Sequence, residues 1–259
     1  LSTLTSTYLT NDVGNWFREQ VAAHPEAKWR IALVHKNVFS GSGHQEDEET
    51  PLFRETMLPI FKDCEIDLVL QGHDHCYEII GPVNPDTRTP ILDAITDVEE
   101  VPVNMVNNMT GKKGGTFRVD DGTLYFIGAT CGTKRYNPNH KLTMEADYEK
   151  HKVENYYDLF TGMFGQPGRP SYSSFTVDGN TITVNSYKVY KDIDPVLFNT
   201  FYIKRTKEHN SGDRQGPISL EQLIQENGTA KIIYDGSMFI VRENIAYNAL
   251  GQIVFDKRN

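Results

Sequence analysis

Apolar residues along this chain recur in two rhythms. Between Asn11 and Ala23, Val13, Trp16, Phe17 and Val21 fall on one helical face, with Thr10 or Asn11 placed to cap and Pro25 to stop it. The pattern then shortens to strand-length runs: Arg30–His35 (RIALVH), Ile66–Leu70 (IDLVL) and Gly122–Thr130 (GTLYFIGAT). Pro51–Cys64, between the first two runs, has helical spacing and is expected to kink or restart at Pro59. Strand, helix, strand is the order of a βαβ unit, whose two strands run parallel.

Farther along, Gly81–Asp120 is rich in turn residues and weakly periodic. It is too long for a plain connection and reads as a lid or an insertion. Asn139–Phe164 is charged and partly helical in pattern. Ser173–Val177 and Thr181–Tyr190 are strands joined at Asp178-Gly179-Asn180, a hairpin signal, and Phe198–Lys204 is a further short strand. Polar Lys207–Pro217 reads as a linker. Ile218–Asn259 reads as a short helix followed by short strands around Asp235-Gly236, Glu243-Asn244 and Gly251. The expected division is therefore 1–206, a linker at 207–217, and a small β-rich module at 218–259.

The two central runs end in histidine. Asp67–Tyr77 reads DLVLQGHDHCY: a strand that stops at Gly72 and presents His73 and His75. His35 closes the earlier strand, 38 residues before His73. In a parallel βαβ unit all three reach one sheet edge, the end of the strands where α/β sheets bind ligands. Imidazole ligates zinc, iron and related metals, and Gly72 permits the tight turn that lets two rings converge. A lone histidine would be an ordinary surface or core residue; three in this topology form a candidate metal site. His24, His140, His151 and His209 lie in polar surroundings and read as surface residues, and the acidic run Glu46–Glu49 reads as a solvated face.

With 259 residues, 38% of them hydrophobic, the chain can bury a substantial core. A net charge of −9 without a basic stripe argues against nucleic acid as the main partner. No apolar run approaches the roughly 18 residues of a membrane span, and no signal-peptide pattern opens the sequence. Cys64, Cys76 and Cys131 form no CxxC pair and read as three free, buried thiols.

Taken together, VH at 34–35, His44 nine residues later in a Gly/Ser-rich loop, GHDH at 72–75 and Tyr77 resemble the second-half motifs of the calcineurin-like metallophosphoesterases, in their purple acid phosphatase branch. GTLYFIGATCGTKRY is similar to the strand and turn that follow there, and SYSSFTVDGNTITVNSYKV to the closing hairpin. The resemblance covers roughly Asn11 to Tyr190. It implies an α/β sandwich with mixed sheets, followed here by a small β-rich tail. It implies two divalent or trivalent metal ions, iron with zinc, manganese or iron, and hydrolysis of phosphate esters, phosphomonoesters foremost as in an acid phosphatase, by a metal-bridging hydroxide. His35 and His73 would ligate one metal and His75 the other. His44 would be catalytic, holding a phosphate oxygen or protonating the leaving group, and Tyr77 would pack beside the site or touch a small phosphorylated substrate. A phosphodiesterase or nucleotidase, or a non-catalytic protein on a degenerate version of the fold, are the alternatives.

The resemblance is partial. The family's aspartate-led first-half motifs do not occur, and only 34 residues precede His35. The sequence therefore reads as the carboxy-terminal part of such a domain, with the amino-terminal half as its expected partner, and export is implied by the resemblance alone.

Overall fold

In a computed structural model of the chain, residues 8–104, 109–138, 156–209, 230–234, 237–242, 245–248 and 252–256 are described. The chain divides into two compact units. Thr7–Pro25 and Ser211–Asn259 form one, and Glu26–Asn210 the other.

The smaller unit contains a π-helical turn, Leu9–Gly14, that continues as helix α1, Asn15–Ala23. The helix thus begins earlier than Thr10 or Asn11 could cap it. Its expected apolar face is only half-buried at Val13, Phe17 and Val21, and Trp16 is exposed.

In the larger unit, chain order runs β1 (Ile31–Leu33), α2 (Glu49–Asp63), β2 (Leu68–Leu70), β3 (Tyr77–Val83), β4 (Ile95–Asn104) and β5 (Met109–Arg118). It continues with β6 (Thr123–Gly128), β7 (Met163–Gly165), β8 (Ser171–Asp178), β9 (Thr181–Lys188) and β10 (Val196–Lys204). The tail of the smaller unit adds β11 (Ala230–Tyr234), β12 (Ser237–Arg242), β13 (Ile245–Asn248) and β14 (Ile253–Asp256), an antiparallel meander paired in that order. The short helix expected near Ile218 and the turns between these strands lie outside the described residues.

The larger unit is α/β with one mixed, ten-stranded sheet, ordered β1-β2-β6-β3-β7-β5-β10-β9-β8 with β4 paired to β5. The β1–β2, β2–β6 and β5–β10 pairs are parallel and the others antiparallel. The sheet curls until its two ends share a core. Leu68, Tyr77, Ile79, Leu124 and Phe126 from one half pack with Ile182, Val184, Phe201 and Ile203 from the other. A single sheet thus forms both β layers of a sandwich.

Helix α2 belongs to the first half. Its buried Phe53, Met57, Ile60 and Phe61 recur at helical spacing and form an apolar stripe. Glu49 in the first turn and Lys62 in the last suit the helix dipole. The helix runs through Pro59 as one segment. It closes at Glu65, in the left-handed region with φ 47°, where Glu65 N donates to Lys62 O and Ile66 N to Phe61 O, both at 2.9 Å.

Gly81–Asp120 corrects the expectation of a lid. It holds the end of β3 and the β4–β5 hairpin, and β5 lies inside the sheet between β7 and β10. Its glycines hid the strand from any local pattern. Gly111, at φ 85°, brings its backbone so close to Gly162 that an added Cβ would meet the Gly162 carbonyl oxygen at 2.4 Å.

Two smaller expectations are also corrected. Cys131 is exposed, while Cys64 and Cys76 are buried. His209 is no surface residue: its side chain is 5% exposed and its Nε2 lies 3.0 Å from Asp67. Asp67, fully buried, also meets Arg205 and accepts from Arg30 N at 2.8 Å. No described helix is long and apolar enough to cross a membrane.

Candidate metal centre

Because β1, β2 and β6 are parallel, their carboxyl ends share one edge of the sheet. His35 follows β1 by two residues, His73 and His75 follow β2, and the segment to Tyr136 follows β6. The sheet register itself therefore gathers these groups.

Nε2 of His35 lies 3.2 Å from Nδ1 of His73, with the ring planes at 74°. His44 joins them from the 3-10 turn Gly43–Glu46, its ring centroid 3.8 Å from that of His73. Asp47 accepts at 2.9 Å from His44 Nδ1 and lies 3.7 Å from His73 Nε2. His44, Asp47 and His73 offer ligand atoms that all lie within 4.8 Å of one another. His75 stands to one side, with Nδ1 2.9 Å from the carbonyl oxygen of Lys134. That bond leaves Nε2 as the ring atom that could take a ligand.

The donors suit a metal. Ligand nitrogens about 2.0–2.1 Å from a tetrahedral ion sit roughly 3.3 Å from one another, close to the 3.2 Å between His35 and His73. Burial, then His44, Lys36 and His35, hold His73 below its ordinary pKa, which favours the neutral, ligating imidazole. His73 also sits at φ 68°, a strained backbone for a non-glycine residue. Gly72 before it keeps the turn thin: a Cβ there would stand 3.4 Å from His35 Nδ1 and 3.5 Å from His35 O.

A buried polar frame holds these arms. Asn37 Nδ2 donates to Asp74 at 2.8 Å, tying the residue after Lys36 to the one between His73 and His75. The path from His35 to His44 then runs through a segment whose backbone is satisfied largely by side chains. Val38 N donates to Gln71 Oε1 at 2.8 Å, and Gln71 Nε2 donates to Phe39 O at 2.7 Å. Arg54 Nε donates to Val38 O at 2.7 Å, with its guanidinium over the rings of Phe39 and Tyr156. Tyr156 Oη accepts from Ser40 N at 2.9 Å and donates to Ser40 O at 3.1 Å. Gly41 N donates to the carboxylate of Glu78 at 3.2 Å. Burial pushes Asp74 up, and burial together with Asp74 pushes Glu78 well above the carboxylate range.

Tyr77 takes the other role open to it. It is fully buried, its hydroxyl 2.9 Å from Ser186 Oγ and accepting from Asn199 Nδ2 at 3.0 Å, so it packs the sandwich core instead of touching a substrate. Its strand position explains this. Tyr77 opens β3, and residues of that phase face inward.

Two residues escaped the sequence reading. Asp47 lies within an acidic run whose pattern is that of a solvated face, and only the 3-10 turn shows that it meets His44. Tyr136 carried no local signal. Its ring centroid lies 4.8 Å from that of His75 and 5.1 Å from that of His44. Its carbonyl oxygen accepts from Gln166 Nε2 at 2.7 Å and from Cys76 Sγ at 3.2 Å, and Gln166 also donates to His75 O at 2.8 Å. Cys76 thus braces the site as a thiol, with burial raising its pKa and disfavouring thiolate.

No protein-family model matches the sequence. Over 126 residues the chain is 27% identical to an uncharacterized protein of Mycobacterium tuberculosis, a stretch covering 46% of this chain and 23% of that protein. Over 85 residues it is 36% identical to purple acid phosphatase 3 of Arabidopsis thaliana, covering 32% of this chain and 21% of the relative. Among solved structures it is similar to a purple acid phosphatase from seeds of yellow lupin (Lupinus luteus). That match has a TM-score of 0.47 and 16% identity over 75% of this chain and 28% of the other. The chain spans less than a quarter of the length of the curated relatives it matches.

Proposed function

We propose that this chain contributes to a metal-dependent phosphoesterase of the purple acid phosphatase kind, with phosphomonoesters as its leading substrates. The supporting observation is the 3.2 Å approach of His35 Nε2 to His73 Nδ1, with His44 and Asp47 beside them. Local sequence similarity to a named purple acid phosphatase agrees with it.

In this reading His35 and His73 hold one metal and His75 another. When bound, such ions act as Lewis acids toward the phosphoryl oxygens and lower the pKa of bound water. Iron paired with zinc, manganese or iron fits an imidazole-rich set. His44 acts on substrate. Its Nδ1 is engaged by Asp47, which fixes the ring and leaves Nε2 to hold a phosphate oxygen or give a proton to the departing alkoxide. Asp74 and Asn37 keep the two histidine arms in register.

Among the described residues, His35, His73 and His75 are fewer ligands than two metal ions need. We infer that the other ligands come from the amino-terminal half of the same domain, and that the whole protein is exported. A second reading rests on the 4.8 Å grouping of His44, Asp47 and His73: a single ion bound by these three.

The test is hydrolysis of p-nitrophenyl phosphate by the whole protein, stripped of metal and reloaded with iron and zinc. Metal-dependent turnover that is lost in His35→Ala and His73→Ala is expected. A metal-loaded protein no faster than metal in buffer would overturn the assignment.

A further inference from the structure

The segment after β6 carries a feature that the metal assignment does not use. Tyr136 is wedged beside the rings of both His75 and His44, and the ammonium of Lys134 lies over the Tyr136 ring, 5.0 Å from its centroid. The arrangement is built from several directions. His75 Nδ1 is bonded to Lys134 O, while Gln166, 5% exposed, donates to both Tyr136 O and His75 O. Cys76 Sγ donates to Tyr136 O as well. The backbone carrying Lys134 is thereby fixed to the histidine loop.

Among the described residues, no carboxylate pairs with this ammonium. Several other lysines have carboxylate partners: Lys36 with Glu49 at 2.7 Å, Lys62 with Asp86 at 2.5 Å, and Lys207 with Asp121 at 2.5 Å. Lys134 has no carboxylate partner among the described residues, and its only charge-related contact there is the Tyr136 ring. In a protein of net charge −9, a cation without a carboxylate partner among the described residues, held beside the histidine cluster, is suited to an incoming anion.

Resting on the phosphoesterase reading above, we infer that Lys134 is a specificity-determining residue: its ammonium, supported on Tyr136, contacts the phosphate of the substrate and selects dianionic phosphomonoesters over monoanionic phosphodiesters. Coulomb attraction to a mobile ammonium scales with the charge of the anion, so the second negative charge of a monoester is what the lysine recognises. The contact forms with substrate already in the ground state, so it acts mainly on KM.

The experiment is steady-state kinetics of the whole metal-loaded protein on p-nitrophenyl phosphate and on bis(p-nitrophenyl) phosphate. Lys134→Gln is compared with Lys191→Gln, a charge-matched change at an exposed position after β9. For Lys134→Gln the monoester KM is expected to rise about tenfold, with kcat nearly constant, as for loss of one charge-assisted contact. The diester KM should change little, and the monoester effect should shrink in high salt. Lys191→Gln should match the parent. An unchanged monoester KM, or equal rises for both esters, would overturn the inference.

If the parent hydrolyses neither ester, the phosphoesterase reading fails first. Binding of inorganic phosphate to the metal-loaded protein by calorimetry then decides the subsite. About tenfold weaker binding in Lys134→Gln would sustain an anion contact; equal binding, or none by the parent, would overturn it.

Discussion

Nε2 of His35 and Nδ1 of His73 approach to 3.2 Å although 38 residues separate them in the chain. The register of β1 on β2 brings this about. Leu33 pairs with Leu70, so the residues that follow leave the sheet side by side. The two rings then turn toward each other because Gly72 is thin and His73 takes a left-handed backbone.

That backbone can be tested apart from any chemistry. At φ 68°, alanine keeps the steric cost of the left-handed region, whereas glycine does not. His73→Gly should therefore be more stable than His73→Ala by about 1 kcal/mol in urea unfolding. Both variants should bind less metal. Equal stability of the two would show that the backbone at residue 73 is not strained.

Asp47 engages His44 at 2.9 Å and is nearer to it than to His73. Asp47→Asn keeps the shape and removes the charge. Metal content should be retained, while kcat falls by about tenfold or more, as expected when a proton-transfer group loses its orienting partner. Loss of one metal per chain would instead assign Asp47 to the ligand set.

The segment between His35 and His44 depends on buried partners. Tyr156→Phe removes the hydroxyl that serves both Ser40 N and Ser40 O, and should cost about 1–3 kcal/mol. Tyr156 is held protonated by burial, its pKa pushed up to about 12 despite the nearby Arg54, so the effect should not vary between pH 6 and 9. Chemical denaturation at both pH values checks this; a loss below about 0.5 kcal/mol would mean that water replaces the hydroxyl.

Glu78 makes stability depend on pH in a stated direction. Burial and Asp74 raise its folded pKa, so the folded state keeps a proton that the unfolded chain releases above about pH 4.3. Its contribution is greatest below that value and declines as pH rises toward the folded pKa. Glu78→Gln stays neutral and can still accept from Gly41 N. Relative to the parent, the variant should gain about 2–4 °C in Tm between pH 5 and pH 8. Parallel melting curves across that range would remove Glu78 from the pH dependence.

The sequence made β1, β2, β6 and the β8–β9 hairpin legible because each is a compact apolar or β-branched run with a clear stop. The three candidate ligand histidines, His35, His73 and His75, followed from those stops. What it hid depends on distant partners. β5 reads as loop because Gly111, Gly114 and Gly115 interrupt it, yet β7 and β10 hold it in the sheet. Tyr77 carries the same letters whether it faces core or substrate, and only the curl of the sheet over Ser186 and Asn199 decides. Asp47 and Tyr136 join the site through a 3-10 turn and a braced loop, neither of which leaves a periodic trace.

The most direct measurement is the metal content of the whole protein, by elemental analysis, for the parent and for His73→Ala, alongside turnover of p-nitrophenyl phosphate. About two ions per chain in the parent, with metal and turnover lost together in His73→Ala, is the expected result. Full metal content and full turnover in His73→Ala would contradict the placement of the site between β1 and β2.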